Sequence, residues 1–155
     1  MKTYNVRGYR PADRGDVVRL WRTCGLTRSW NDPLKDIART ERLGQGLFFV
    51  AEDEEGGEGE NGALIGAVMG GYDGHRGGAY SLAVHPDFQN AGVGKTLMHT
   101  LERALIAMGC AKINLLVRES NAEVAVFYQA LGYARQDCAV YGKRLIVDDE
   151  ESFLT

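Results

Sequence analysis

The sequence predicts a mixed α/β domain, and two observations predict it. Segments with strand patterning and segments with helical patterning alternate along one chain of 155 residues, a length that a single core can serve. The apolar run Gly78 to Val84 is followed at once by a proline, a loop carrying two glycines and an amphipathic helix. The whole chain, 1–155, therefore reads as one domain.

The elements follow in order. Tyr4 to Tyr9 reads as a first strand. Ala12 to Cys24 reads as a helix, with Val17, Leu20, Trp21 and Cys24 on one face at helical spacing. Residues 26–33 form a loop that ends in Trp30, Asn31, Asp32 and Pro33, and Leu34 to Leu43 reads as a second, charged helix. Leu47 to Glu52 and Ala63 to Tyr72 are strands, rich in Val, Ile and Phe. Between them, residues 53–62 are acidic and glycine-rich, which predicts a mobile hairpin tip. Gly78 to Val84 is the central strand. Gly94 to Met108 is a helix burying Leu97, Leu101, Leu105 and Met108, and Gly109 ends it. Lys112 to Val117 reads as a buried strand. Ser120 with Glu123 predicts a capping box, opening a helix that buries Val124, Phe127 and Leu131 and stops at Gly132. Tyr133 to Ala139 and Val140 to Val147 read as two final antiparallel strands, the sixth and seventh. The acidic tail, 148–155, reads as frayed.

Composition excludes several classes of function. The formal net charge is −3, without the basic excess of a nucleic-acid footprint. No apolar run is long enough to span a bilayer, and Met1 to Arg7 lacks a signal-peptide hydrophobic region. Neither nucleic acid nor membrane is therefore expected as a partner. The three cysteines, Cys24, Cys110 and Cys138, are far apart and have no zinc spacing with the three histidines. They read as reduced core residues of a cytoplasmic protein, with no metal expected.

The loop after the central strand carries the chemistry. A glycine loop between a strand and a helix lets backbone N–H groups approach a phosphate at the positive end of the helix dipole. Three patterns compete for it. A P-loop matches Gly94, Lys95 and Thr96, but the glycine it needs five positions earlier is Gln89. A dinucleotide fingerprint begins at Gly92-Val93-Gly94, but its third glycine is Leu97 and its acidic residue is missing. The pattern Q/R-x-x-G-x-G/A is complete as Gln89-Asn90-Ala91-Gly92-Val93-Gly94. A second segment, from Asn121 through Phe127 and Tyr128 to Gly132-Tyr133, matches N-x-x-x-x-x-[LF]-Y-x-x-x-G-[FY]. With these two motifs in this order, the chain resembles the GNAT superfamily of acetyl-CoA-dependent N-acetyltransferases. The resemblance runs from Tyr4 to about Val147. The runs Tyr72 to Arg76, Trp30 to Pro33 and Gly142 to Leu145 resemble a bacterial subgroup called YpeA-like.

The resemblance implies a twisted, mostly antiparallel sheet of about seven strands with helices on both faces. It implies acetyl-CoA as cofactor, with Gln89, Asn90, Ala91, Gly92, Val93, Gly94, Lys95 and Thr96 around the pyrophosphate. Lys95 either adds positive charge there or is simply solvated. Pantetheine would pair with the backbone of Leu82, Ala83 and Val84, with Phe127 alongside. Asn121 would contact the pantetheine arm, or cap its helix. Tyr128 would protonate the leaving thiolate.

The base that deprotonates the amine is open. A similar branch, the ribosomal-protein alanine N-acetyltransferases, carries a glutamate where this chain has Leu116. Asp73 and His75 are the remaining candidates, although Asp73-Gly74 also reads as a hairpin turn pair. The acceptor pocket implied by the superfamily takes Trp30, Asn31, Asp32, Tyr72, Arg76 and Tyr141. The expected activity is direct acetyl transfer to a primary amine of a small molecule, peptide or protein, by a monomer or homodimer. The rival reading is a non-catalytic acyl-CoA sensor or interaction module, for which the missing base is the argument.

Overall fold

The computed structural model describes residues 2–55 and 63–148. Strands β1 (Tyr4–Gly8), β2 (Phe48–Asp53), β3 (Leu64–Tyr72), β4 (Gly77–Val84) and β5 (Ile113–Leu115) form one sheet in sequence order. The first three pairings are antiparallel and β4 with β5 is parallel. Helices α1 (Arg14–Thr23), α2 (Pro33–Leu43), α3 (Val93–Ala107) and α4 (Ala122–Ala130) complete the elements.

Alternation along β2 and β3 divides the core in two. Val50, Ala67 and Met69 meet α1 and α2 through Val17, Val18, Leu20, Trp21 and Ile37. Ala51, Ile65 and Val68 meet α3 through Val93, Leu97, Met98, Leu101 and Leu105, with α4 at the margin. The sheet is buried on both faces, which is why β3 is an almost unbroken apolar run. Asp32 caps α2 by accepting from the Leu34 amide at 2.9 Å, Pro33 occupies its first turn, and Gly44 ends it at φ 62°. Buried Asp13 holds the Arg7 guanidinium with both oxygens at 2.8 Å, and Glu52 takes the same cation from β2.

Several expectations need correction. Among the described residues the sheet has five strands, not seven, because 133–139 and 140–147 make no strand pairing. A strand needs a neighbouring edge, and β5 is only three residues long. Val140, Tyr141, Leu145, Ile146 and Val147 are consequently exposed. The expected buried strand at 112–117 shrinks to half-buried β5, with Leu116 75% exposed. Met108 lies past the end of α3 and is exposed; Val93 and Met98 fill the core instead. The cap of α4 is Asn121 rather than Ser120, and its side chain accepts from the Val124 amide at 3.3 Å. Cys138 is exposed, while Cys24 and Cys110 are half-buried; all three are free thiols.

Asp148 is not frayed: its carboxylate is fully buried and receives Arg39 at 2.6 Å and the Asp32 amide at 3.1 Å. Residues 149–155 of the tail, and 56–62 of the acidic loop, lie outside the described residues. No helix among the described residues is long and apolar enough to cross a membrane, and no metal-binding cluster occurs among them.

Candidate active site

The site begins where β4 ends. His85 accepts from the Asp87 amide at 3.1 Å, and one 3-10 turn, Pro86–Phe88, leads into the glycine loop. Asn90 and Gly92 take left-handed φ values of 65° and 84°, with Ala91 between them on the ordinary side. Such alternation turns successive amides toward one concavity that suits an anion. Asn90 is the one described residue other than glycine with positive φ, a conformation that asparagine tolerates better than most. The first backbone bond of α3 runs from the Thr96 amide to the Gly92 carbonyl at 3.0 Å. The amides of Asn90 through Lys95 make no well-aligned hydrogen bond among the described residues. Six donors in a row at the positive end of a 15-residue helix fit a pyrophosphate.

Other side chains of the loop take distinct places. Lys95 is exposed, and Thr96 is tied to Tyr4 at 2.8 Å and to the Gly92 carbonyl at 2.9 Å. Gln89 donates to the Val84 carbonyl at 3.4 Å. Gly92 is required by its φ. Gly94 is favoured by packing, since a Cβ would lie 3.2 Å from the Phe127 ring, a tight contact, and 3.5 Å from Val84.

Strand β4 offers an open edge. It pairs with β5 only over Gly77 to Ala79, so Leu82, Ala83 and Val84 face no strand on that side while bonding β3 on the other. The β3–β4 pairing shifts between Met69–Ser81 and Gly70–Ala79, which leaves Tyr80 as the extra residue of a bulge. Tyr80 is 67% exposed, and its ring lies over Gly71 and Gly78, where a Cβ would come within 2.9 Å and 2.8 Å. Gln45, just after α2, reaches the same Gly71, so Tyr80 stands on the α2 side of the sheet. Sequence reasoning missed this residue. Its signal was available as two glycines, Gly71 and Gly78, which oppose each other across the hairpin and clear a bed for a ring.

The Tyr128 ring meets Phe127 edge-on at 5.1 Å and Tyr133 at 5.6 Å. Phe127 lies against Gly94 and Val84, and Tyr128 packs in the same cluster, next to Tyr133. Burial pushes the Tyr128 hydroxyl above its ordinary pKa, so it stays protonated. That hydroxyl has no hydrogen-bond partner among the described residues, yet it is not sealed from solvent. Asn121 caps α4 through Oδ1 and keeps Nδ2 free.

The hairpin candidates are placed elsewhere. The Asp73 carboxylate accepts the Arg76 and His75 amides, each at 2.7 Å, and these bonds hold it below the usual range. Tyr72 reaches the Gly74 carbonyl at 3.1 Å and the Gly109 carbonyl at 3.5 Å. The turn carrying Asp73, His75 and Arg76 thus lies at the C-terminal end of α3. The loop at 89–94 lies at its N-terminal end, about 22 Å away at 1.5 Å per residue. Trp30 is 49% exposed rather than packed on the core. Asn31 bonds Asp36, Asp32 caps α2, and Tyr141 is exposed.

Comparison with known proteins fits this geometry. Residues 16–133 match the family described as Acetyltransferase (GNAT) family. An acetyltransferase of Yersinia enterocolitica is 48% identical over 145 residues, covering 94% of this chain and 98% of that protein. The NatC complex bound to Gag peptide and CoA superposes with a TM-score of 0.73 at 17% identity, covering 86% of each chain. AAC(6')-Iy in complex with the bisubstrate analogue CoA-S-monomethyl-acetylneamine superposes with a TM-score of 0.72 at 18% identity, covering 93% and 99%. The chain belongs to the GNAT acetyltransferase family: it is an N-acetyltransferase, and acetyl-CoA is its cosubstrate.

Proposed function

We propose, for this member of the acetyltransferase family, that the acetyl group moves directly to a primary amine, with no acyl-enzyme. The observation that carries the reading is the run of unpaired amides after the open β4 edge, with a protonated Tyr128 hydroxyl, without a hydrogen-bond partner among the described residues, in the cluster that packs on α3. Acetyl-CoA supplies an activated acyl group and a thiolate leaving group. The amides of Asn90 to Lys95 bind the pyrophosphate, with Lys95 adding charge, and Leu82 to Val84 pair with pantetheine as an added strand would. An amide on that edge polarises the acyl carbonyl. Asn121 turns its free Nδ2 to the pantetheine arm. Tyr128 gives its proton to the departing sulfur and regains one from solvent.

Direct transfer has its own support. The thiol beside this edge, Cys24, donates to the Val84 carbonyl at 3.4 Å, and burial raises its pKa. A thiol held neutral is a poor nucleophile. For the incoming amine, Asp73 is a weak base because two amides already hold its charge. The proton therefore leaves through water, or the site captures the neutral fraction of the amine.

Trp30, Asn31, Asp32 and Tyr80 form the acceptor side in this reading. One structural neighbour was solved with a peptide and another with an aminoglycoside-derived analogue, so the fold serves acceptors of different size. A cytoplasmic location and a monomeric or homodimeric state belong to the same proposal. The test is a panel of small-molecule, peptide and lysine amines incubated with acetyl-CoA, read by mass spectrometry and thiol release. Acetylation of at least one class, slowed by about tenfold or more in Tyr128→Phe, supports the reading. Thiol release without an acetylated amine overturns it.

A further inference from the structure

Between α2 and the segment 142–146 lies an open cavity of about 580 Å³, lined by Arg39, Gly142, Lys143, Arg144, Leu145 and Ile146. All its ionisable lining groups are cations. Arg39 is fixed from behind: its guanidinium meets Asp148 at 2.6 Å and 3.1 Å, and Asp36 at 3.2 Å, so two carboxylates hold its single charge and it is not the anchor for an anion. Lys143 and Arg144 make no ion pair or hydrogen bond among the described residues. Two cations with no counter-charge among the described residues therefore share a concave wall with two exposed aliphatic side chains, Leu145 at 86% and Ile146 at 64%. Like charges on one wall repel, and an anion between them relieves that repulsion. Aliphatic groups left in water beside them favour a ligand with an apolar body.

We propose that this cavity binds the anionic end of the acceptor, a carboxylate or phosphate on a short apolar body, with Lys143 and Arg144 as its anchors. The proposal rests on the amine-acetylation reading above. Position supports it. Thr40, next to Arg39, touches the Met69 sulfur of β3 at 3.2 Å, so the cavity opens on the side of the sheet that carries α2. Tyr80 stands on that same side, at the bulge beside the open β4 edge. An acceptor held at its charged end by 143–144 lies on the side of the sheet that Tyr80 occupies. Lys143 supplies a point charge, and Arg144 supplies a planar fork that takes two oxygens at once.

The test separates binding from turnover. The full chain, saturated with CoA so that the phosphate-binding loop is filled, is titrated with butyrate, with inorganic phosphate and with neutral butyramide. Backbone amide shifts are followed by NMR. Saturable shifts confined to 142–146 with butyrate or phosphate, absent with butyramide, are expected. They weaken about tenfold in a Lys143→Glu/Arg144→Glu variant and fall with added salt. The stronger of the two anions identifies carboxylate or phosphate as the natural group. In the kinetic arm, kcat/KM for 4-aminobutyrate drops about tenfold in that variant while kcat/KM for butylamine holds.

Both residues are exposed, so the variant keeps its fold, which circular dichroism verifies. No saturable shift at 142–146 with either anion overturns the proposal. So does equal binding of butyramide, or unchanged affinity in the variant. Intact anion binding with no acetylation of any amine instead sinks the reading on which the acceptor assignment rests, and leaves an anion site unconnected to transfer.

Discussion

Tyr128→Phe tests the proposed chemistry most directly, because it removes one oxygen and keeps the ring. The lost hydroxyl has no partner among the described residues, so no hydrogen bond is broken. The ring contacts to Phe127 at 5.1 Å and Tyr133 at 5.6 Å persist. Stability should therefore change by less than about 1 kcal/mol. Affinity for CoA, which we assign to the amides of the loop and the β4 edge, should hold. Turnover should fall by about tenfold to a thousandfold, the range for a positioned general acid. The pH dependence follows from the sign of the shift. Burial disfavours the phenolate, so the pKa lies above the ordinary value, and the donor remains competent through neutral pH. Its contribution is lost only above about pH 10. The assay is steady-state turnover at saturating acetyl-CoA and acceptor, from neutral to alkaline pH, with calorimetric CoA binding beside it. Parent-like turnover in a folded, CoA-binding variant would reduce Tyr128 to a packing residue.

Other expectations follow from particular contacts. Asp13→Asn breaks the paired bonds to Arg7 and should cost about 1.5–3 kcal/mol in urea unfolding at neutral pH. Because Arg7 depresses the Asp13 pKa, that stabilisation is present above about pH 3.9, the ordinary value, and fades as pH falls through the folded one. The variant should lack this acid limb, and parallel stability curves for the two proteins would refute the pairing. Gly66→Ala puts a methyl 2.8 Å from Val93 and 2.9 Å from Leu97, and should cost about 1–3 kcal/mol by overpacking. It should also weaken CoA binding measured by calorimetry, since Val93 opens α3; unchanged affinity would separate the loop from the packing behind it. Asp73→Asn and His75→Ala should each keep kcat/KM within about tenfold, less than the loss of a general base brings. A larger loss with CoA binding intact would restore one of them as the base.

The first four strands and all four helices were legible because their patterns are strong. Val17, Leu20 and Trp21 repeat at helical spacing, and β2 and β3 are apolar runs closed by turn residues. The glycine loop at 89–94 was legible as a strand-to-helix turn, since its glycines have physical reasons, one a positive φ and one a neighbouring ring. The segment 133–147 misled because apolar and β-branched residues predict a strand only where an edge is free to pair. Sequence does not reveal that β5 is three residues long. Asp148 misled for the opposite reason. An acidic tail reads as solvated, and the partner that buries it, Arg39, is 109 residues away. Asp73 and His75 drew attention by residue type and by lying between two strands; the end of α3 to which their turn belongs is a tertiary fact.

The position of the cofactor loop is fixed from behind. Gly66 and Gly70 of β3 and Gly77 of β4 face α3, and a Cβ on any of them would come within 2.9 Å of Val93, Leu97, Leu101 or Leu105. The helix therefore lies close along a glycine track for its whole length. Its N-terminal amides stand where the sheet sets them, not where a flexible loop leaves them. Gly71 and Gly78 do the same on the opposite face for the Tyr80 ring. One hairpin, β3–β4, thus locates the unpaired amides of the loop through one face and the bulge tyrosine through the other. The open edge between them, to which we assign the acyl group, is backbone, which substitution of side chains barely alters. The acceptor side we propose is built of side chains on loops and on 142–146, where Trp30, Lys143 and Arg144 are exposed. This division lets chemistry stay constant while acceptor choice changes, and it is why the acceptor must be sought among those exposed residues.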